Sequence, residues 1–229
     1  MCAISKLGIL LLCLLPIELP AAEVQTWAGL RIANALDEGS ARLRVELHGR
    51  VWRDGDMDCG EVSGLRRVAH GTHRLSFSMD GLKGREVRLT LKPGQILALV
   101  PHALALEDGS GREIRVLKLE HLKDRSERIA TVVDLGCEPC RLLEIKQIGK
   151  SWEPVVLRRM ELARFPIVQH RGYLRMRVGR QQLHSLPVFK EGHQVVVLYE
   201  RKGGGLTSLH YRDRGWPAAE GPGTDAEGL

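Results

Sequence analysis

Aromatic side chains are scarce in this chain. Phenylalanine, tryptophan and tyrosine together make up 4% of its 229 residues, which limits any ligand site built on stacked rings. Apart from the N-terminus, no hydrophobic run approaches the length of a membrane-spanning helix. A long amphipathic helix is missing as well, because no segment keeps a period of 3.6 residues.

Sequence motifs of serine-type catalysis are also missing. Neither Gly-x-Ser-x-Gly nor Gly-Asp-Ser with a later Asp-x-x-His occurs. The segment "EDGSG", Glu107–Gly111, has the letters in another order and is typical of a hairpin turn. We therefore predict a protein that is not an enzyme, with no catalytic residue and no cofactor.

The N-terminus has the build of a secretory signal peptide. Lys6 precedes an apolar run, Leu7–Ile17, and small residues follow at Pro20–Ala22. This run is too short to span a bilayer, so residues 1–22 are predicted to be a signal peptide that is cleaved during export. Cys13 is a lipidation candidate, but Leu12 stands where such sites need a small residue.

The net charge of +6 is compatible with several anionic partners in that compartment. An exported basic protein could meet an anionic polysaccharide, a lipid head group or an acidic protein. The alternative is a solvated basic surface with no specific partner. Nucleic acid is not expected there.

An internal repeat is the most informative pattern. The segment Arg31–Trp52 resembles Arg128–Trp152, if the second copy carries a three-residue insertion. The matched pairs are Arg31/Arg128, Ile32/Ile129, Ala33/Ala130, Asp37/Asp134, Gly39/Gly136, Leu43/Leu143, Val45/Ile145, Gly49/Gly149 and Trp52/Trp152. Further along, the matched segments are "LRRV" with "LRRM", "HRLSFSM" with "GYLRMRV", and "KPGQILALV" with "KEGHQVVVLYE".

Apolar residues alternate with polar ones within each copy. Leu75, Phe77 and Met79 show a period of two, and the second copy repeats this pattern. About seven such runs per copy, separated by Gly, Pro and Asp turns, predict two tandem immunoglobulin-like antiparallel β-sandwich domains. The predicted division is 27–120 for domain 1, 121–127 for a linker, 128–212 for domain 2 and 213–229 for a disordered tail.

Three short motifs resemble those of a known family. They are "R-x-x-N-A" at Arg31–Ala35, "G-x-x-R-L" at Gly71–Leu75 and "L-K-P-G" at Leu91–Gly94. Together they resemble the periplasmic alginate O-acetylation accessory protein family and related extracellular sandwich modules. The resemblance covers nearly the whole mature chain.

This resemblance implies a non-catalytic periplasmic adaptor in exopolysaccharide O-acetylation. Its implied partners are a periplasmic acetyl-transferring enzyme and a membrane acyltransferase. Two features of this chain are not matched to the family, the Cys-x-x-Cys and the loop "RDGDMDCGEVSG". The resemblance thus implies a pathway but no site residue.

Arginines are dense in the second copy and suggest an anion-binding surface. Arg175 and Arg177 share one face of a predicted strand, opposite its apolar side chains. Forked guanidinium groups suit uronate or phosphate groups, whereas a solvated outer face is the other interpretation. The candidate polysaccharide-binding residues are Arg164, Arg171, Arg175, Arg177 and Arg180.

A loop with alternating carboxylates is a weaker candidate site. Asp54, Asp56 and Asp58 are spaced as oxygen ligands of calcium often are. An EF-hand would place glycine after Asp58 and glutamate at its twelfth position, but Cys59 and Leu65 stand there. We therefore predict no metal site, with these three aspartates as the only calcium candidates and an acidic solvated loop as the alternative.

Cys137 and Cys140 form a Cys-x-x-Cys pair in the turn between the first two predicted strands of the second copy. A redox centre would need its first cysteine at a helix N-terminus, but Cys140 leads into an alternating strand. In an oxidising compartment a turn-closing disulfide is favoured. A bridge from Cys59 to either of them, or a zinc or redox site, are the alternatives, and Cys59 is otherwise the odd thiol.

Overall fold

The protein is described by a computed structural model over residues 26–52, 56–121, 128–136, 138–168, 172–188 and 192–213. Sixteen β-strands and no helix occur in these ranges. The described residues therefore contain no candidate for a membrane-spanning helix. The fold class predicted from the alternating pattern is confirmed: the chain is all-β and forms two tandem sandwiches.

Each sandwich contains eight strands. In unit 1 they are β1 Trp27–Ile32, β2 Arg44–Leu47, β3 Arg50–Val51, β4 Arg66–Ala69, β5 Gly71–Ser78, β6 Arg85–Leu91, β7 Ile96–Ala105 and β8 Arg112–Glu120. In unit 2 they are β9 Ile129–Asp134, β10 Cys140–Lys146, β11 Glu153–Arg158, β12 Leu162–Pro166, β13 Tyr173–Val178, β14 Gln181–Pro187, β15 His193–Glu200 and β16 Leu206–Asp213.

The two units have the same topology. In unit 1 the sheet β4-β1-β7-β8 packs on β3-β2-β5-β6, and in unit 2 β12-β9-β15-β16 packs on β11-β10-β13-β14. The repeat seen in the sequence is therefore a repeated sandwich. Two details differ from expectation, because each unit has eight strands rather than seven, and the pairs β1–β7 and β9–β15 are parallel.

Alternation places one face of each strand in a core. In β5 the side chains of His73, Leu75 and Phe77 are buried, while those between them are more exposed. The unit 1 core and the unit 2 core are separate apolar clusters built from such inward-facing residues. Burial of apolar surface at about 25 cal/mol per Å² is the main stabilising contribution in each core.

β7 and β15 are buried on both faces. Their sequences, "ILALVPHALA" and "HQVVVLYE", read as continuous apolar runs, which is typical of strands covered on two sides. Leu99 and Val196 point into their own cores, whereas Val100 and Val197 belong to a third cluster. This third cluster fills the space between the two units.

The contact between units is made by corresponding sheets. The sheet that contains β7 faces the sheet that contains β15, and the same repeat positions contribute from each side. The residues of this interface cluster are Ala33, Ala35, Ala98, Val100, Leu119, Val133, Leu135, Val195, Val197, Tyr199, Leu209 and Tyr211, with Cys59, Val62 and Leu117 packed against them.

One pair of polar interactions across this interface is reciprocal. Cys59 of unit 1 contacts Tyr199 of unit 2. Arg159, which holds the corresponding place in unit 2, acts electrostatically on His102 of unit 1 and lowers its pKa, an effect smaller than that of the burial of His102. The units thus pack as the two subunits of an isologous dimer do.

The structure corrects the alignment of the first strands. Asn34 and Asp134 each accept a hydrogen bond from the backbone two residues later. The backbone carbonyl of each also accepts a hydrogen bond, from the backbone amide of Gly60 for Asn34 and from that of Met160 for Asp134. The offset between copies is therefore constant from Asn34/Asp134 to Val45/Ile145, and the predicted three-residue insertion is wrong.

A second correction concerns "LRRV" and "LRRM". Arg66–Ala69 is β4 on the interface side, whereas Leu157 and Arg158 end β11 on the opposite sheet. The two segments are therefore not equivalent, and the counterpart of β4 is β12. β16 includes Asp213, the first residue assigned to the disordered tail; the rest of that tail, the linker after His121 and the signal peptide lie outside the described residues.

Candidate functional site

The solvent face of the sheet β11-β10-β13-β14 carries a group of aromatic, apolar and basic side chains. Leu143, Ile145, Leu174 and Met176 point into the core, so the residues between them point to solvent. We call this surface the outer face of unit 2. Its members are Leu142, Glu144, Lys146, Trp152, Pro154, Val156, Tyr173, Arg175, Arg177 and Ser185.

Strand pairing places the basic residues of this face in a row. Arg175 pairs with Lys146 on one side and with Ser185 on the other. Trp152 precedes Glu153, which pairs with Ile145, so Trp152 lies opposite Lys146. The row from Trp152 to Ser185 crosses three strand spacings, roughly 14 Å.

Arg177 is fixed beside this row. Its Nε and Nη2 donate to the two carboxylate oxygens of Glu144 at 2.7 and 2.9 Å. The guanidinium lies 4.3 Å from the centre of the Trp152 ring, and the Lys146 Nζ lies 5.8 Å from the same centre. Cations over an aromatic face are attracted to its negative quadrupole, so both basic groups interact favourably with the Trp152 ring.

The Arg177–Glu144 pair shifts the titration of both groups. The hydrogen bond from Arg177 lowers the pKa of Glu144, and the hydrogen bond to Glu144 raises the pKa of Arg177. Both groups thus stay charged over a wider pH range. Because the pair faces solvent, its net contribution to stability is small, and its main effect is to hold the Arg177 guanidinium in one orientation over Trp152.

Arg175 and Lys146 have no carboxylate partner within the described part of the chain. On the corresponding face of unit 1, Arg44 pairs with Glu46 at 2.9 Å and Arg74 with Glu86 at 2.8 Å. The outer face of unit 2 therefore has cations available to an external anion.

The two repeat tryptophans face opposite sides of their sheets. In unit 1 a two-residue turn with positive φ at His48 and Gly49 joins β2 to β3, and the Trp52 amide donates to the Val45 carbonyl. Trp52 is therefore opposite an inward residue and is 3% exposed. In unit 2 the register differs by one residue, which turns Trp152 outward.

From their matched places in the repeat, both tryptophans are predicted to pack in the sandwich core or at a strand edge. Trp52 lies in the core of unit 1, whereas Trp152 is half-buried directly before the edge strand β11. A slip of one residue moves a side chain from one face of a sheet to the other, and the longer loop between β10 and β11 produces that slip. The half-buried Trp152 ring thereby becomes part of the solvent face.

The predicted arginine cluster is only partly assembled. Arg175 and Arg177 share the outer face of unit 2, as predicted, and Arg180 is exposed in the turn from β13 to β14. Arg164 is exposed on β12, at the edge of the other sheet of the unit. It therefore cannot belong to the same face, and Arg171 lies outside the described residues.

The side chains that border Arg175 on this face were not among the predicted site residues. Tyr173, which is 53% exposed, has the same parity as Arg175 on its strand, so the alternation alone could have identified it. Lys146 and Trp152 come from neighbouring strands. Only the strand register, which the sequence does not state, brings them to Arg175.

The acidic loop does not form a cation cage among the described residues. Asp58 is engaged by Arg42, whose Nε lies 2.8 Å from the carboxylate. In the described ranges no group of three or more His, Cys, Asp or Glu side chains could hold a metal ion. Asp54 lies outside them, so the role of Asp54, Asp56 and Asp58 together stays a prediction.

The cysteines occupy different environments. Cys140 is an exposed thiol at the start of β10, and Cys59 is a half-buried thiol at the interface between units. These two are therefore not bridged to each other. Cys137 lies outside the described residues, and its pairing with Cys140 in the exported protein stays a prediction.

The motifs behind the family resemblance have structural roles. The Asn34 amide donates to the carbonyls of Met57 and Asp58, which ties β1 to the loop that follows β3. Gly94 has φ +71° in the turn before β7, and its amide donates to the Trp27 carbonyl. These residues define the sandwich rather than a binding site.

Comparisons with known proteins show a distant structural likeness. No family model matches the chain, and no curated protein matches it. Among solved structures it is similar to a carbohydrate-binding module of family CBM26 from Eubacterium rectale Amy13K in complex with maltoheptaose. That likeness has 9% identity and a TM-score of 0.26, and it covers 82% of this chain and 97% of the other. A similarity at this level carries no argument about fold or ligand.

Proposed function

We propose that this protein is a non-catalytic exported protein that binds an anionic polysaccharide on the outer face of unit 2. The observation that carries the proposal is the row of Trp152, Lys146 and Arg175, with Tyr173 beside it. Two aromatic rings border cations that no carboxylate of the described chain neutralises.

This combination suits a sugar acid better than a neutral sugar. An exposed aromatic ring can cover the apolar side of a pyranose while the polar edge stays hydrated. A guanidinium presents a planar fork that matches a carboxylate in two hydrogen bonds. A polymer lying along the row would meet both kinds of contact at successive residues.

A neutral-sugar site would not need the unpaired cations. Arg175 is exposed, and its nearest cross-strand neighbours are Lys146 and Ser185. Like charges opposite each other on one sheet face repel, and a bound polyanion would relieve that repulsion. Recognition of anions therefore explains why two cations stand side by side.

Titration with oligouronates tests this function. We expect saturable binding that weakens about tenfold or more in Arg175→Ala, because a charge-assisted hydrogen bond contributes about 1.5–3 kcal/mol. Tyr173→Ala should weaken binding as well, and raising the salt concentration should weaken it in the wild type. Isothermal calorimetry at two salt concentrations gives both results.

Arg88→Ala is the matched control. Arg88 is an exposed arginine of β6, on the corresponding face of unit 1, where the repeat tryptophan is buried. We expect the Arg88→Ala variant to bind oligouronates with the affinity of the wild type. Equal affinity of Arg175→Ala and Arg88→Ala would contradict the assignment of the outer face.

The pathway is a second part of the proposal and depends on the sequence resemblance. We propose that the bound polymer is an exopolysaccharide undergoing O-acetylation in the periplasm. The protein would act there as an accessory to a periplasmic acetyl-transferring enzyme and a membrane acyltransferase. Deleting the gene in its host should lower the O-acetyl content of the secreted polymer, and unchanged acetylation would contradict this role.

A further inference from the structure

A cavity opens at the edge of unit 2 between β14 and the β15–β16 hairpin. Its volume is about 280 Å³, just below the size at which pockets hold a drug-sized ligand. Two glycines of the hairpin form part of its rim. The lining residues are Gln181, Leu183, Arg201, Gly204, Gly205, Leu206 and Thr207.

The cavity combines an apolar floor with polar donors. Leu183 and Leu206 are buried and belong to the core of unit 2. The Arg201 Nη2 lies 3.4 Å from the Thr207 hydroxyl, which places the guanidinium at the cavity wall. No lining residue is a carboxylate, so Arg201 leaves the cavity positively charged.

Glycine keeps the rim open. Gly204 and Gly205 have φ values of +93° and +89°, a conformation that residues with side chains rarely adopt. A Cβ at either position would meet no heavy atom within 4 Å. The glycines therefore make this backbone path at the rim possible.

We propose that this cavity binds a single uronate residue, as a free hexuronate or as the end of a chain. The size admits one sugar ring, Leu183 and Leu206 cover its apolar side, and Arg201 pairs with the carboxylate in the forked geometry that guanidinium groups favour. The side-chain amide of Gln181 already donates to the Leu206 carbonyl, which leaves its oxygen to accept from a sugar hydroxyl.

This site is separate from the outer face of unit 2. Arg201 lies on the β15–β16 hairpin of the interface sheet, whereas Arg175 lies on β13 of the other sheet. Both sites favour uronates, so the inference deepens the proposed function by adding a subsite for one residue. The two sites can be removed independently.

An NMR titration with sodium D-glucuronate tests the cavity directly. In ¹⁵N-labelled wild-type protein we expect saturable shifts of the amides of Gly204, Gly205 and Thr207. Arg201→Ala should weaken binding about tenfold or more. The neighbouring Lys202, whose Nζ is 3.6 Å from Glu38 of unit 1, does not line the cavity, so Lys202→Ala should bind as the wild type does.

Glucose and the outer-face variant complete the design. Glucose should bind much more weakly than glucuronate, and Arg175→Ala should bind glucuronate normally. Equal shifts with glucose, no shifts with glucuronate, or unchanged affinity in Arg201→Ala would each overturn the inference. If glucuronate binds in the cavity while Arg175→Ala leaves the affinity for oligouronates unchanged, the cavity proposal is supported and the outer-face proposal is contradicted.

Discussion

The Sγ atom of Cys59 lies 3.3 Å from the Tyr199 hydroxyl, and this contact joins the two units. Burial raises the pKa of the Cys59 thiol, and burial together with the Cys59 contact raises the pKa of Tyr199. Because the thiolate is the reactive form, we predict that Cys59 is alkylated about tenfold or more slowly than the exposed Cys140 at pH 8 in reduced protein. Timed iodoacetamide labelling with mass spectrometry measures both rates.

Denaturant provides the control for this comparison. In unfolded protein the two cysteines should react at similar rates, since the difference comes from the fold. Equal rates in the native protein would show that the interface opens readily or that the Cys59 contact is absent.

A charge in the interface cluster should destabilise the protein. Val197 is 0% exposed and contacts unit 1 residues through that cluster. Val197→Asp buries an unpaired carboxylate, so we expect the free energy of unfolding to fall by about 3 kcal/mol or more. Urea denaturation measures the change, and Val197→Ala, with an expected loss of about 1–3 kcal/mol, serves if the aspartate variant does not fold.

The control for this substitution is Val156→Asp. Val156 is 62% exposed on β11, so a carboxylate there remains hydrated. Its free energy of unfolding should stay close to the wild-type value. Comparable losses in the two aspartate variants would contradict a buried interface at Val197.

The two repeat tryptophans should differ in their effect on stability. Trp52→Ala removes a buried ring from the unit 1 core and should cost about 3–5 kcal/mol. Trp152→Ala removes a half-buried ring from the outer face and should cost below about 2 kcal/mol. The same denaturation experiment measures both, and a larger loss for Trp152→Ala would contradict the different registers of the two hairpins.

Glu144 should titrate below the ordinary range of a glutamate. The hydrogen bond from Arg177 lowers its pKa, so the stability that the pair contributes is present above the unfolded-state pKa. It is lost as the pH falls through the lower folded-state pKa. Carboxyl-carbon NMR measures the midpoint, and Arg177→Gln should return it to the ordinary range; an identical midpoint in that variant would contradict the pairing.

Alternation was sufficient to predict the fold class but not the packing between units. Leu75 and Phe77 show the period of two that defines a half-buried strand, and their burial confirms it. The apolar run at Val195–Leu198 is continuous rather than alternating, because both faces of that strand are covered. The run predicts a second covering layer, but it does not say that the layer is the other unit.

The outer face of unit 2 was predictable only along one strand. Arg175 and Arg177 follow from parity within β13, whereas Trp152 depends on the length of the loop that precedes β11. The matched positions of Trp52 and Trp152 predicted packing in the core or at a strand edge, and a one-residue difference in register turns only Trp152 toward solvent. Matched positions in a sequence repeat therefore predict the shared strand topology well, but they predict poorly which side of the sheet a single side chain faces.

Titration of ¹⁵N-labelled protein with an oligouronate measures directly whether the polymer binds on the outer face of unit 2. We expect the largest amide shifts at Lys146, Trp152, Tyr173 and Arg175, with little change at Arg74 and Arg88 on the corresponding face of unit 1. Shifts that are absent from these four residues, or that are as large on unit 1, would contradict binding on the outer face of unit 2.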